Sequence, residues 1–319
     1  MIDPRIKLRH LACFLEVARL KSVGNAAQSL NISQPAASKT IQELEELLGA
    51  SLFDRSHRSL SLTAYGEVFY RYAGTSLASL RQGIDAAGEA RADPIVKVGA
   101  LPSVSARILP PAVRAFLRDN LGARSRVLTG PNDYLLSLLR TGDVDLVIGR
   151  MAEPDEMLGL SFEHLYSEPV VMVVRPGHPL LQVPRFNLAL IEDYPTLMPT
   201  PDSVIRPLVQ KLLLAHGVTN LRDEVETVST AFGRSFTRLT DAVWIISEGV
   251  VAEDIENGWL VELPFATVET LGPVGLTTRT DTAPSLAGLA FIQAVRDAAA
   301  TQRQDRRELH GHRVGGGVQ

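Results

Sequence analysis

The sequence predicts an all-α N-terminal module, one long connecting helix and a larger α/β body. Apolar residues recur at spacings of three and four over residues 1–62, which indicates short amphipathic helices. Residues 63–91 contain no proline and predict a single long helix. From residue 94 onward, β-branched runs alternate with helical stretches, which is typical of parallel α/β sheets. The 319 residues are 45% hydrophobic and 21% charged, a composition typical of a folded protein.

Charge is distributed unevenly along the chain. Residues 1–66 carry eight Lys and Arg against six Asp and Glu, so they contribute +2 to a chain whose net charge is −4. This asymmetry permits a small nucleic-acid module attached to a larger neutral or acidic body. The single cysteine, Cys13, excludes an intrachain disulfide and a paired-cysteine metal site. The N-terminus lacks the apolar run of a signal peptide, and the longest aliphatic run, about Val170–Val174, is too short to span a membrane; we therefore expect a cytoplasmic protein.

The first 62 residues divide into three predicted helices. Ser22 is a candidate cap of the second helix, and Ser33 is a candidate cap of the third, which has Pro35 in its first turn. The turn between these two helices is short, and small residues lie where the helices would cross. Two helices joined in this way form a helix-turn-helix, whose second helix enters the major groove of DNA.

The exposed face of the third helix carries the side chains that groove reading requires. Gln can pair with adenine and Lys with guanine or phosphate, and the first turns contain no carboxylate. The candidate DNA-binding residues of this helix are Ser33, Gln34, Pro35, Ser38, Lys39 and Gln42. Residues 51–55 and 59–62 then predict a two-stranded wing that would place Arg55 and Arg58 on the DNA backbone. Spacing alone leaves a second interpretation open, an unrelated helical bundle with a solvated polar face.

The proline-free segment predicts a helix that Thr63 can cap. It would run to about residue 91, a length of roughly 42 Å at about 1.5 Å per residue. Its apolar residues repeat as in a heptad seam, at Leu77, Leu80, Ile84 and Ala87. Such a seam needs a partner, and both the body of the same chain and a second copy are candidates.

Short motifs follow one another in a fixed order through the first module. They include Ala26-Ala27, Ser33-Gln34-Pro35-Ala36, Leu44-Glu45, Leu52-Phe53 and Leu62-Thr63. Together they resemble the signature of LysR-type transcriptional regulators, and the resemblance covers the first domain without a gap. The opening segment 2–11 and residues 65–69 resemble most the branch of this family that controls protocatechuate catabolism.

This resemblance implies a winged helix-turn-helix DNA-binding domain over residues 1–62 and a linker helix over residues 63–91 that pairs with a second copy. Two-fold pairing predicts double-stranded DNA operators with inverted-repeat half-sites. The resemblance further implies a homotetramer built as a dimer of dimers, and contact with RNA polymerase. It favours activation over repression, which the residues themselves do not decide.

The second half of the chain resembles the ligand-sensing domain of the same family. Residues 139–149, Leu-Arg-Thr-Gly-Asp-Val-Asp-Leu-Val-Ile-Gly, match its pattern where a strand begins. The implied fold over residues 94–301 is a pair of α/β lobes like those of a periplasmic binding protein, with a cleft between them. The implied boundaries are 94–164 with 269–301 for lobe one and 165–268 for lobe two. Residues 302–319 are polar and end in a glycine run, which predicts a disordered tail.

Clefts of this kind bind small anions at strand-to-helix turns, where helix N-termini present donors. The candidate effector-binding residues are Ser103, Ser105, Asn132, Thr200, Ser203, Thr230 and Phe232. For each residue alone, an ordinary helix cap is an equally good interpretation. Arg206 could pair with a carboxylate of the ligand, although an arginine more often lies at the protein surface. Composition indicates a small polar anion, and the resemblance implies a co-inducer of the protocatechuate pathway such as a carboxylated muconate.

Motifs of enzymes are absent from the sequence. GxSxG, HExxH, the phosphate-binding GxxxxGK and paired Cys/His spacings do not occur. We therefore expect that the protein is not an enzyme and that it binds no metal and no cofactor other than the small-molecule effector. Two alternatives remain: a LysR-type regulator of sugar or amino-acid metabolism, and a DNA-binding protein without a ligand. The second would have no use for a large α/β body.

Overall fold

Three short helices form the N-terminal module of the computed structural model, which describes residues 3–54, 60–88, 94–119 and 122–315. They are α1 (Leu8–Leu20), α2 (Val23–Ser29) and α3 (Gln34–Leu48). Ser22 Oγ accepts a hydrogen bond from the backbone N–H of Asn25 and caps α2. Ser33 Oγ accepts one from Ala36 and caps α3, as the sequence predicts.

Aromatic rings pack together within the largely aliphatic core of this module. Phe14 is fully buried, and its ring centroid lies 5.5 Å from that of Phe53 and 5.3 Å from that of Phe69. A two-stranded wing follows the third helix, in which β1 (Phe53–Asp54) pairs antiparallel with β2 (Ser61–Leu62). The module is therefore a helix-turn-helix with a short wing.

The long helix α4 (Ala64–Gly88) follows the wing directly. Thr63 Oγ1 accepts a hydrogen bond of 2.9 Å from the backbone N–H of Gly66 and caps it. Leu77, which the sequence places in the apolar seam, packs against the core of the N-terminal module. Two other residues of the seam, Leu80 and Ile84, are exposed, and so are Tyr65, Val68 and Tyr72 of the same helix.

Lobe one of the body is built on a five-stranded sheet. Its strands are β3 (Ile95–Ala100), β4 (Arg124–Thr129), β5 (Leu146–Arg150), β6 (Leu160–Glu168) and β12 (Gly272–Arg279). They lie in the order β4-β3-β5-β12-β6, with β3 parallel to both of its neighbours and β12 antiparallel to both of its own. Helices of this lobe are α5 (Pro102–Arg107), α6 (Leu109–Arg118), α7 (Asn132–Thr141) and α11 (Leu286–Gly315).

Lobe two is built on a second five-stranded sheet. Its strands are β7 (Val170–Val174), β8 (Thr196–Met198), β9 (Glu224–Glu226), β10 (Val243–Ser247) and β11 (Val261–Glu262). Their order is β11-β7-β10-β8-β9. The helices are α8 (Arg206–Ala215), α9 (Thr230–Leu239) and α10 (Glu248–Glu256), with 3-10 helices at Pro179–Leu181, Leu188–Asp193 and Val268–Thr270.

The chain crosses between the lobes twice. Strand β6 pairs with β12 as far as Glu168, so lobe one extends to residue 168 and not only to residue 164 as expected. The change of lobe falls at Pro169, because proline has no N–H to continue the ladder. Val170 N donates to Thr270 Oγ1 at 2.8 Å, and Thr267 Oγ1 donates to Val170 O at 2.5 Å. These two hydrogen bonds tie the outgoing crossing to the returning one.

The last helix, α11, is longer than the sequence suggests. It continues to Gly315 and so includes most of the segment 302–319, for which the glycine run and polar composition predict disorder. Residues 302–314 contain no proline and are rich in Arg and Gln, which are good helix formers. Helix propensity therefore outweighs polarity in this segment. Among the described residues, no helix is both long and apolar enough to cross a membrane.

The close approach of α4 to the wing gives a test of the N-terminal module. A Cβ added at Gly66 would lie 2.1 Å from the Leu52 carbonyl oxygen, whereas one at Gly83 would meet no atom within 4 Å. We expect Gly66→Ala to destabilise the module by about 1–3 kcal/mol and Gly83→Ala to stabilise α4 by about 0.5–1 kcal/mol. Thermal unfolding followed by far-UV circular dichroism measures both. Trp244 and Trp259 fluorescence reports lobe two separately, and equal effects of the two substitutions would contradict the packing.

Candidate DNA interface and ligand cleft

Helix α3 presents one polar and one apolar face. Ala37, Ile41 and Leu44 are buried in the core of the module. All six residues that the sequence assigns to DNA on this helix are exposed on the opposite face: Ser33, Gln34, Pro35, Ser38, Lys39 and Gln42. The structure therefore brings the candidate reading residues together on one surface.

The carboxylates of α3 lie beyond its first turn. Lys39 Nζ is 3.9 Å from Glu43 Oε1, and Gln42 Nε2 donates to Glu46 Oε1 at 3.0 Å. The N-terminal turn contains no acidic residue, so its free N–H groups and the helix dipole favour a phosphate there. Arg55 and Arg58, the two candidate wing contacts, lie outside the described residues, and their role stays a prediction.

A cavity of about 270 Å³ lies between the two lobes. Five of the seven residues that the sequence assigns to the effector line it: Ser103, Asn132, Thr200, Ser203 and Thr230. Ser105 and Phe232 do not. Ser105 Oγ donates to the Pro102 carbonyl at 3.0 Å within its own helix, and the exposed ring of Phe232 stacks on Phe236 at 5.3 Å between ring centroids.

The two misassigned residues share one physical cause. Each follows a lining residue by two positions, Ser103 in one case and Thr230 in the other. Two positions along an α-helix rotate a side chain by about 200°, onto the opposite face. The expectation that Ser105 and Phe232 line the cleft is therefore wrong. It did not consider which face of the helix each side chain occupies.

Helices α7, α9 and α10 are among the helices that begin at the cavity wall. Asn132 is the first residue of α7, Thr230 is the first residue of α9, and Ser247 is the N-cap of α10. Asn132 and Ser247 are nearly buried, at 5% and 7% exposure. Helix N-termini carry partial positive charge and free N–H groups, so their convergence favours an anionic ligand.

The sequence analysis missed one cation in the cleft, Arg150. It ends β5, is 6% exposed and lines the cavity. Its Nη1 donates to the Thr270 carbonyl at 3.1 Å and its Nη2 to the Glu168 carbonyl at 2.8 Å, while its buried Nε has no hydrogen-bond partner among the described residues. Burial lowers the pKa of Arg150, and the nearby Glu168 and Tyr166 oppose this effect. A charged residue directly after the apolar run at 146–149 was the signal that could have found it.

The rest of the lining is largely apolar. It includes Leu101, Pro131, Val204, Ile205, Trp244 and Val250. Among the described lining residues none is Asp or Glu. The cavity therefore suits a small ligand with an apolar body and anionic ends.

Arg206, the other candidate cation, is already neutralised. Its guanidinium lies 2.9 Å from a carboxylate oxygen of Glu224 and 2.9 Å from one of Glu226, and it donates to the Pro199 carbonyl at 2.7 Å. It holds the start of α8 against β9 and is not directed to a ligand. In the described part of the chain, no group of three His, Cys, Asp or Glu residues is placed to hold a metal ion.

A winged helix-turn-helix module, a long helix and a two-lobed body around a largely apolar cleft with one buried cation are the architecture of a DNA-binding protein with a separate ligand-binding body. Residues 8–67 match the model described as bacterial regulatory helix-turn-helix protein, lysR family, and residues 90–300 match the LysR substrate binding domain. The chain belongs to the LysR family of transcriptional regulators.

Individual relatives cover nearly the whole chain. The HTH-type transcriptional regulator PcaQ of Agrobacterium fabrum is 54% identical over 301 residues, which cover 94% of this chain and 97% of the relative. The uncharacterized HTH-type transcriptional regulator YdcI of Escherichia coli is 36% identical over 93% of this chain and 97% of its own.

Solved structures confirm the predicted fold class. A full-length OxyR variant from Pseudomonas aeruginosa, in which aspartate replaces one cysteine, has a TM-score of 0.56 at 20% identity, covering 93% of this chain and 95% of its own. Full-length CbnR, solved in complex with its target DNA, has a TM-score of 0.52 at 23% identity, covering 92% of this chain and 100% of its own. At these identities the likeness shows the fold alone.

The exposure of Gln34 gives a test of the DNA interface. We expect Gln34→Ala to weaken binding to an operator selected by the wild-type protein by about 1–3 kcal/mol, because the bidentate base contact predicted for this side chain would be lost. Binding to random duplex at the same salt concentration should change little. Gln293→Ala, at an exposed position on α11, is the matched control. Gel-shift titrations measure both affinities, and equal losses on operator and random DNA would exclude a reading role for Gln34.

Proposed function

We propose that this LysR-type regulator controls genes of protocatechuate catabolism in response to a small carboxylate bound in its cleft. The convergence of Arg150 and three helix N-termini on one cavity carries the proposal, because it provides for an anion. The pathway is supported by the 54% identity to PcaQ and by the resemblance of the N-terminal segments to the branch that controls protocatechuate catabolism.

The arrangement of donors fits a ligand with carboxylates at two ends. Arg150, Ser103 and Asn132 form the lobe-one wall, and Thr230 begins α9 on the lobe-two wall. A carboxylate on each wall would bridge the lobes, with the apolar lining around the carbon skeleton between them. A carboxylated muconate has this form, and protocatechuate offers one carboxylate and two hydroxyls.

On DNA, the proposed assembly is a pair of chains joined through α4. Its exposed apolar side chains, among them Tyr72 and Ile84 at 68% and 62% exposure, are suited to a second copy of the same helix. Such a pair presents two α3 helices with two-fold symmetry and so favours an operator with inverted-repeat half-sites. We further propose that two pairs form a homotetramer.

The regulator is proposed to act as an activator that contacts RNA polymerase and works in the cytoplasm, where its DNA is. A bound effector shifts the protein between arrangements only as far as its affinity for them differs. The resulting change in DNA spacing or bend is the proposed signal. We expect no catalytic activity, since the relatives are transcriptional regulators.

A thermal-shift screen against acids of aromatic catabolism tests the effector. A ligand that binds only the folded state raises the melting temperature by mass action, by an amount equivalent to about 2.7 kcal/mol at a hundredfold excess over Kd. We expect a rise with carboxymuconate or protocatechuate, and its loss in the double variant Ser103→Ala and Ser203→Ala. Ser105→Ala should keep it, because this side chain lies outside the cavity.

Either of two outcomes would contradict part of the proposal. If no acid shifts the melting temperature while operator DNA still binds, the protein remains a DNA-binding regulator, but its assignment to protocatechuate catabolism is wrong. An equal loss of the shift in Ser105→Ala would place the ligand outside the cavity described above.

A further inference from the structure

Helix α7 joins two parts of the molecule that lie far apart in the sequence. Its first residue, Asn132, and the preceding Gly130 and Pro131 line the ligand cleft. The opposite side of the same helix packs against α4, and Tyr134 reaches α1 of the N-terminal module. One short rigid element therefore touches both the cleft and the DNA-binding half.

The ring of Tyr134 is the most direct link. On one side it packs so closely on the cleft wall that a Cβ at Gly130 would lie 2.8 Å from its Cδ1. On the other side, the guanidinium carbon of Arg19 lies 5.7 Å from the ring centroid, in cation–π contact. Glu16 orients this arginine by accepting a hydrogen bond of 2.9 Å from its Nε. The Gly130–Asn132 turn cannot move far without displacing a group that touches α1.

Backbone packing makes the contact between α7 and α4 close. A Cβ at Gly74 on α4 would lie 3.3 Å from the Arg140 carbonyl oxygen on α7. One at Gly142, the C-cap of α7, would lie 3.1 Å from the Cβ of Ala78. Because these positions have no side chain, the two helices touch through their backbones, and a shift of one is passed to the other.

Polar contacts fix the same end of α7. Arg81 of α4 donates to the Thr141 carbonyl at 3.0 Å and also pairs with Asp143. Tyr70 lies at the interface beside Arg140, and burial raises the pKa of Tyr70. The linker helix is thus held at the C-terminal end of α7, while the first module is contacted near its N-terminal end.

We propose that α7, with Tyr134 as its positioning residue, couples occupancy of the cleft to the placement of the DNA-binding module within a single chain. This inference rests on the proposed function, since it requires a ligand in the cleft. A ligand that contacts the 130–132 turn alters the support that Tyr134 gives to Arg19. Tyr134 itself does not line the cavity and lies outside the α3 surface, so it acts through its neighbours.

The contact itself is tested without any ligand. Hydrogen exchange is measured in the full-length protein for peptides of α1 in Tyr134→Ala, and in Arg19→Met, which leaves α7 unchanged. We expect exchange at α1 to rise about threefold to fivefold in Tyr134→Ala, since the cation–π contact is lost, and at least as much in Arg19→Met, which also removes the ion pair of Arg19 with Glu16 inside α1. Arg238→Ala is the matched control, because it removes a similar contact at 5.4 Å from the Trp259 ring in lobe two.

Coupling is tested with carboxymuconate as the probe. The wild-type affinity for a selected operator is compared with and without the probe, and we expect it to change by a factor within the about 5- to 150-fold range typical of coupled sites. In Tyr134→Ala and Arg19→Met this factor should fall to about one, while the Kd of carboxymuconate changes less than about twofold. A purely structural role would lower both affinities and keep the factor.

If both variants exchange at α1 at the wild-type rate, or if the coupling factor is unchanged in them, the inference is wrong. If carboxymuconate does not bind the wild-type protein, the proposed effector fails. The hydrogen-exchange measurement then still tests the contact between Tyr134 and Arg19, because it uses no ligand.

Discussion

The guanidinium of Arg150 holds together the two crossings on which the architecture depends. One of its hydrogen bonds ends on Glu168 before the outgoing crossing, and the other ends on Thr270 before the chain returns to lobe one. The hydroxyls of Thr267 and Thr270 close the same junction. Because Arg150 also lines the cavity, an anionic ligand of the kind proposed would meet its charge at the junction between the lobes.

From this junction, the proposed route to the DNA-binding module passes through elements that are closely packed against one another. The cleft wall passes into α7, whose core-facing leucines fix it to lobe one. Helix α7 lies against α4 through the glycine contacts at Gly74 and Gly142, and α4 begins at the wing beside Leu52. The same core that holds the wing holds α3. Each pair of neighbouring elements along this route is in packed contact. Close-packed protein interiors transmit displacements and do not absorb them.

The sequence was sufficient to predict those structural features that depend on neighbouring residues in the chain. The cap at Ser33 depends on neighbours within three residues and was predicted. Phase along a short helix was not considered, so Ser105 and Phe232 were assigned to the cleft although they face away from it. The position of Arg150 after an apolar run could have marked it as a candidate, but its role at the crossings could not be assigned, because its partners lie 18 and 120 residues away and are brought together only by the fold. In residues 302–315 the polarity of the segment was weighted above its helix propensity.

The central claim is that occupancy of the cleft and recognition of DNA are one linked equilibrium. Isothermal titration of carboxymuconate into the free protein and into its operator complex tests this claim most directly, because linkage requires each ligand to change the affinity of the other by the same factor. We predict that the two Kd values differ by about fivefold or more. Identical Kd values on and off DNA would contradict the account.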